Sequence, residues 1–250
     1  MNWAKIKSIM ICFLIFMNVF LLAFLTLTTL RENTVPKSVI DASVKILEKE
    51  GFKCDKAIIP DSYYVLPRLS AQFYSASSLS DLFFGKQTAF RTSGNSLVAN
   101  EGKATLTVSG NYFLYENGYN ADNSQSHSKI RRALQKAGID MSGAVYDEKE
   151  GYFYFMYKSV NLFNMYIEAK LDSDGDLCYV SAQWPSKLST LEEKKISFPE
   201  SVLDIKNIFP EGGNISYVEA GYSLNHISGE KYVFVPTWRI TTESGSKILE

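Results

Sequence analysis

The chain has 250 residues, of which 46% are hydrophobic and 21% charged, and its formal net charge is −1. That composition can bury a substantial core and excludes a disordered tail. With Lys5 and Lys7 set aside, 24 basic residues stand against 27 acidic ones with the signs interspersed, which argues against nucleic acid as a partner, because phosphate binding needs a concentrated basic surface.

The first element is apolar. Between Ile9 and Leu30 there are 22 consecutive residues without a charge, enough for a helix of roughly 33 Å against a hydrocarbon core of roughly 30 Å. A cleaved signal peptide would have a shorter apolar region and a small-x-small cleavage site. The run instead ends Leu25-Thr-Leu-Thr-Thr-Leu30, so the expectation is an uncleaved, single-pass anchor. Lys5 and Lys7 precede it, and Arg31 and Glu32 nearly cancel after it. The positive-inside bias then puts the N-terminus in the cytoplasm and residues 31–250 outside the cell membrane. Asn18 falls near the middle of the span, and a helical wheel places Ile11, Ile15, Leu22 and Leu25 on its face. A buried Asn pairs across helices for about 0.6–2 kcal/mol, so these five residues are candidate partner contacts. The alternative is an amide bonded to its own backbone.

After the span, Ile40, Val44 and Leu47 at i, i+4, i+7 predict a helix capped by Gly51 and followed by apolar Phe52. Residues 69–84 form a weaker helical pattern through Leu69, Phe73, Ala76 and Phe83, closed by Gly85. Alternation then predicts a strand over 103–108 and a tight turn at Ser109-Gly-Asn111. The polar stretch 117–126 reads as a linker. A third helix is expected over 126–137, with Ile130, Leu134 and Ala137 on one face and Gly138 at its end. Its end, Leu134-Gln-Lys-Ala-Gly-Ile139, parallels Leu47-Glu-Lys-Glu-Gly-Phe52, a hint of duplication or of shared helix-end chemistry. Strands follow over 165–171 and 177–184, joined by Asp172-Ser-Asp-Gly175. Ser197-Phe-Pro-Glu200 has the form of a capping box for a fourth helix through Val202, Ile205 and Phe209. The last strand carries Tyr232, Phe234, Pro236, Trp238 and Ile240 on one face, after a turn at Ser228-Gly-Glu230. Short connections make hairpins, so the expected fold is α+β. One N-terminal transmembrane helix (1–31) precedes two extracytoplasmic subdomains, 32–121 and 122–250, of antiparallel meanders packed with helices.

The motifs that carry chemistry are weak. Asp172, Asp174 and Asp176 begin like a calcium loop, but an EF-hand needs Gly at its sixth position and Glu at its twelfth. Those positions are Leu177 and Gln183, so a hairpin turn is the better reading. His127 and His226 have no Cys or Glu at ligand spacing. Cys54 and Cys178 could pair outside the cell, or stay as buried thiols. No Gly-x-Ser-x-Gly elbow or phosphate loop is present, and Tyr152-Phe-Tyr-Phe-Met-Tyr157 reads as cross-strand packing. No catalytic, cofactor-binding or metal-binding residue is expected.

Met1-Asn-Trp-Ala-Lys-Ile-Lys-Ser-Ile9, with Phe13-Leu-Ile-Phe-Met-Asn-Val-Phe-Leu-Leu22, resembles the opening of the YycI (WalI) family of the YycH/YycI superfamily. Trp3, Lys5, Lys7 and Asn18 fit its pattern, although the family's acids at the second and mid-membrane positions are Asn2 and Asn18 here. Pro236, Trp238 and Arg239 are similar to its C-terminal Pro-x-Trp-Arg signature. The chain stops soon afterwards, so the strand that usually follows is expected to be short or absent. The resemblance implies a non-enzymatic regulatory protein without cofactor, anchored by one helix. It would pair with a YycH-like partner beside a WalK-like sensor histidine kinase that controls cell-wall metabolism. The competing class is a membrane-tethered extracellular ligand-binding or hydrolase-inhibitor module.

Overall fold

The computed structural model describes residues 3–122, 125–228 and 231–249. In chain order these form helix α1 (Trp3–Glu32), α2 (Lys37–Lys49), strand β1 (Phe52–Cys54), a short 3-10 turn and β2 (Tyr64–Phe73). Next come α3 (Ala76–Phe84), the meander β3 (Arg91–Ser93), β4 (Ser96–Glu101), β5 (Ala104–Ser109) and β6 (Tyr112–Glu116), and α4 (His127–Lys136). Five strands follow: β7 (Ala144–Asp147), β8 (Tyr152–Tyr157), β9 (Val160–Leu171), β10 (Leu177–Gln183) and β11 (Pro185–Ile196). The chain closes with the single turns α5 (Phe198–Ser201) and α6 (Ile205–Ile208), then β12 (Gly213–Ser228), β13 (Lys231–Thr242) and β14 (Gly245–Ile248). The expected α+β class is observed, with mostly antiparallel pairing.

Two compact units divide these elements: Met1–Val65 with Lys195–Val218 and Ile240–Lys247, and Leu66–Lys194 with Glu219–Arg239 and Ile248–Glu250. The stretch 117–126, read above as a linker, falls within the second unit; residues 123–124 of it lie outside the described residues.

In the first unit α2 buries Ile40 and Leu47, the expected face, and Gly51 follows it at φ 90°, a left-handed turn that costs a glycine little. Phe52 then begins β1, which pairs in parallel with the start of β12, Phe52 opposite Gly213. Gly212 passes so close that a Cβ there would sit 2.4 Å from the Gly51 carbonyl oxygen. The expected fourth helix is instead three short pieces, α5, a 3-10 turn over Val202–Asp204, and α6. Ser197 makes no capping bond through its side chain; it is buried, and the Phe198, Val202, Ile205 and Phe209 side chains are buried with it. Burial of that stripe, not helix propensity, sets this segment.

The second unit holds most of the sheet, whose strands run β11-β2-β13-β12-β9-β10-β6-β5-β4-β3. Its meander hairpins match the expected turns: Ser109 pairs with Tyr112 across 110–111, and Leu171 with Leu177 across 172–176. The turn at 229–230 lies outside the described residues. Helix α4 presents Leu134, fully buried, to the core, and Gly138 ends it at φ 92°. The helix read over 69–84 is corrected by half. Residues 64–73 are a strand in which Leu69 and Ala71 are buried, and only Ala76–Phe84 is helical, ended by left-handed Gly85. Strand β14 is four residues long.

One irregularity organises the sheet around β9. Along one edge β9 meets β8, with Tyr154 opposite Tyr166 and then Met156 opposite Asn161, so β9 carries extra residues between those pairs. Its other edge is shared: Asn161 and Leu162 pair in parallel with Gly221 and Tyr222 of β12, while residues from Tyr166 onward pair with β10. Asn164 sits between the two stretches at φ 65°, a left-handed backbone that costs a non-glycine residue of order 1 kcal/mol and that Asn tolerates best. The ladder therefore changes partner at Asn164, and β10 and β12 fork apart there.

Candidate functional site

The residues singled out from the sequence fall in two places. Ile11, Ile15, Asn18, Leu22 and Leu25 lie on the 30-residue α1, and all five are exposed. Asn18 donates one amide N–H to the Leu14 carbonyl at 2.8 Å, the local bond named above as the alternative. Its second N–H and its carbonyl oxygen keep their bonding capacity. Lys7 places its ammonium 5.6 Å from the centroid of the Trp3 ring, a cation–π arrangement; the side chain of Lys5 lies outside the described residues. Side chains along α1 are described without a break from Met10 to Thr26, 17 residues. Among the described residues no helix is long and apolar enough to cross a membrane.

Pro236, Trp238 and Arg239 lie on β13. Pro236 and Trp238 are buried. Arg239 stacks its guanidinium 4.6 Å from the Phe163 ring and forms an ion pair with Glu219. Phe163 in turn fills the space above Gly221, where a Cβ would lie 2.2 Å from the ring. These residues knit β9, β12 and β13 together, so the signature has a packing role in this fold.

The other motifs are also accounted for by local structure. The Asp172 carboxylate accepts from the backbone N–H groups of Asp174 and Asp176, both at 3.0 Å, which spends it on closing the hairpin. His127 opens α4 and stacks on Tyr146 at 4.9 Å; the side chain of His226 lies outside the described residues. Cys54 and Cys178 are free thiols. Burial, with the Asp55 carboxylate adding, pushes the Cys54 thiol up to about 11. Burial and Asp172 likewise raise that of Cys178. Both are therefore poor nucleophiles near neutral pH. Tyr222, fully buried, has a hydroxyl without a hydrogen-bond partner among the described residues, and burial pushes it up to about 12, Tyr157 adding.

Two cavities in the second unit could receive a ligand. One, of 660 Å³, lies between α4 and the 173–177 turn and mixes cations (Lys129, Arg132, Lys136) with the Asp174 and Asp176 carboxylates. The other, of 430 Å³, opens at the fork described above and is lined by the polar side chains of Asn111, Asn164, Gln183, Ser223 and Tyr232. Leu224 and Ile248 complete its wall. Ser223 is only 8% exposed, and the Tyr232 hydroxyl lies beside Gly110, 3.9 Å from where a Cβ would stand. No motif announces this second cavity, because its described lining comes from six separate strands and turns. The only local signal is an Asn inside a strand pattern, at 164.

No family model and no curated protein matches this chain. Among solved structures it is similar to an uncharacterized protein from Eubacterium rectale, at 10% identity and a TM-score of 0.40, over 79% of this chain and 85% of that one.

Proposed function

We propose that this chain is a membrane-anchored accessory protein, without catalytic activity of its own, that modulates a sensor histidine kinase governing cell-wall metabolism. Helix α1 is the anchor, the N-terminus is cytoplasmic, and the α+β portion lies outside the membrane. One observation carries the reading. The large apolar side chains described between Met10 and Leu25 are 37–69% exposed, an amount of uncovered apolar surface that a soluble monomer rarely presents. A lipid bilayer with a neighbouring helix would cover it. Within that surface Asn18 retains donor and acceptor capacity beyond its bond to Leu14, and an amide in hydrocarbon gains from a partner helix. The resemblance of the N-terminal and β13 residues to the YycI family supplies the partner class: a YycH-like protein and a WalK-like kinase. A few kcal/mol of differential helix packing suffices to bias a two-state kinase.

The test replaces Asn18 by Leu in the full-length chain, co-expressed with a WalK-like sensor histidine kinase. Asn18→Leu keeps the helix apolar and is expected to weaken helix association by about 0.6–2 kcal/mol, with a matching change in kinase output. Phe13→Leu, off the Asn18 face, should change either much less. Association and output both at wild-type level in Asn18→Leu would contradict the reading.

A further inference from the structure

We propose that the fork between β10 and β12 is a binding site for a neutral polyhydroxylated ligand, a sugar unit, held by the side-chain amides of Asn111, Asn164 and Gln183 and the hydroxyl of Ser223. The cavity volume of 430 Å³ lies inside the roughly 300–1,000 Å³ typical of small-molecule sites. Among the described residues none that lines it is charged, so a phosphate, carboxylate or ammonium would find no counter-charge on them and lose its hydration for little return. A sugar hydroxyl both donates and accepts. Each carboxamide offers a carbonyl acceptor and two N–H donors, and the serine offers one of each. The walls supply the second half of sugar recognition: Tyr232, Leu224 and Ile248 present apolar surface to the C–H faces of a ring.

The contrast with an ordinary solvated sheet face rests on Ser223. Ser223 is 8% exposed and borders the cavity. A serine hydroxyl in the wall of a cavity can both donate to and accept from a sugar hydroxyl that enters it. Gly221, Ser223 and Tyr222 alternate along β12, and Tyr222 belongs to the core, so period-two geometry turns Ser223 to the opposite face. Asn164 reaches the same space because its left-handed backbone breaks the β9 ladder there. The site goes beyond the accessory-protein reading and holds whether or not α1 contacts a kinase.

The experiment titrates the full chain, in a detergent without a sugar headgroup, with N,N′-diacetylchitobiose, cellobiose and inorganic phosphate, followed by calorimetry. Saturable binding of a neutral disaccharide with a dissociation constant of about 1 mM or tighter is expected, and none of phosphate. Ser223→Val and Gln183→Leu should each weaken that binding about three- to tenfold, the worth of one neutral hydrogen bond. The melting temperature should be unchanged at Gln183, which remains informative if the buried serine variant misfolds. No saturable binding of either disaccharide overturns the proposal. So does binding that Gln183→Leu leaves intact, which would put the sugar elsewhere, and so does preferential binding of phosphate.

Discussion

Helix α1 and the sheet of the second unit are both rich in large apolar side chains and dispose of them in opposite ways. In the sheet, Leu69, Leu106, Leu162, Ile167, Val180 and Phe234 are at 0–1% exposure, each covered by strands or helices of its own unit. Along α1, Phe16 and Leu22 are at 66–69% and have no such cover among the described residues. Burial of apolar surface is the main favourable term in folding, so the sheet stores its stability inside the chain. Helix α1 leaves its apolar surface exposed. On the proposed reading, the same kind of side chain is a stability element in one region and a binding element in the other.

Substitution should separate the two uses. Ile167→Ala removes a fully buried side chain from β9 and should cost about 2–5 kcal/mol of stability in denaturant unfolding. Leu22→Ala should leave that midpoint unchanged and lower only the partition of α1 into bilayers; an equal loss of stability would mean that α1 is part of the fold. Gly221→Ala comes next. Its Cβ would meet the Phe163 ring at 2.2 Å, and overpacking of that kind costs about 1–3 kcal/mol, read as a lower melting temperature. A neutral outcome would show that the Phe163–Arg239 stack can move. The smallest effect concerns pH. The Cys54 thiol is raised by burial from its ordinary 9.0 to about 11, so between those values the unfolded chain has lost a proton that the folded chain keeps. Its contribution to stability is thus fully present below pH 9 and is lost as pH rises toward 11. Alkylation of Cys54 should be slow at pH 8 and accelerate only above pH 10. Rapid labelling at pH 8 would contradict the burial.

Where local chemistry and packing agree, the elements were legible in the residues themselves. Leu47 and Leu134 with Gly51 and Gly138 mark the ends of α2 and α4, because a buried leucine and a left-handed glycine are both local requirements. The β9 and β10 alternation and the Asp172 turn were legible for the same reason. The start of the 69–84 pattern misled. Leu69 and Phe73 satisfy a helical spacing, but Leu69 and Ala71 satisfy the strand period too, and pairing of β2 with β13 decides between them. The parallel contacts of β12 with β1 and β9 join residues more than fifty positions apart and left no local trace. The cavity was the least legible feature, since Asn111, Asn164, Gln183 and Ser223 meet only after β9 has changed partner. The residues expected to contact a partner share the exposed helix α1, whereas Trp238 and Arg239, which carry the resemblance, are engaged in packing within the sheet.

The most direct test of the account is membrane flotation of the full-length chain after alkaline carbonate washing, beside a chain lacking residues 3–32. A membrane-anchored accessory protein should float with the lipid after the wash, and its truncated form should stay in the soluble fraction with its cooperative unfolding intact. Recovery of the full-length chain as a soluble, folded protein after the same wash would contradict the anchor, and with it the proposed contact to a kinase in the membrane.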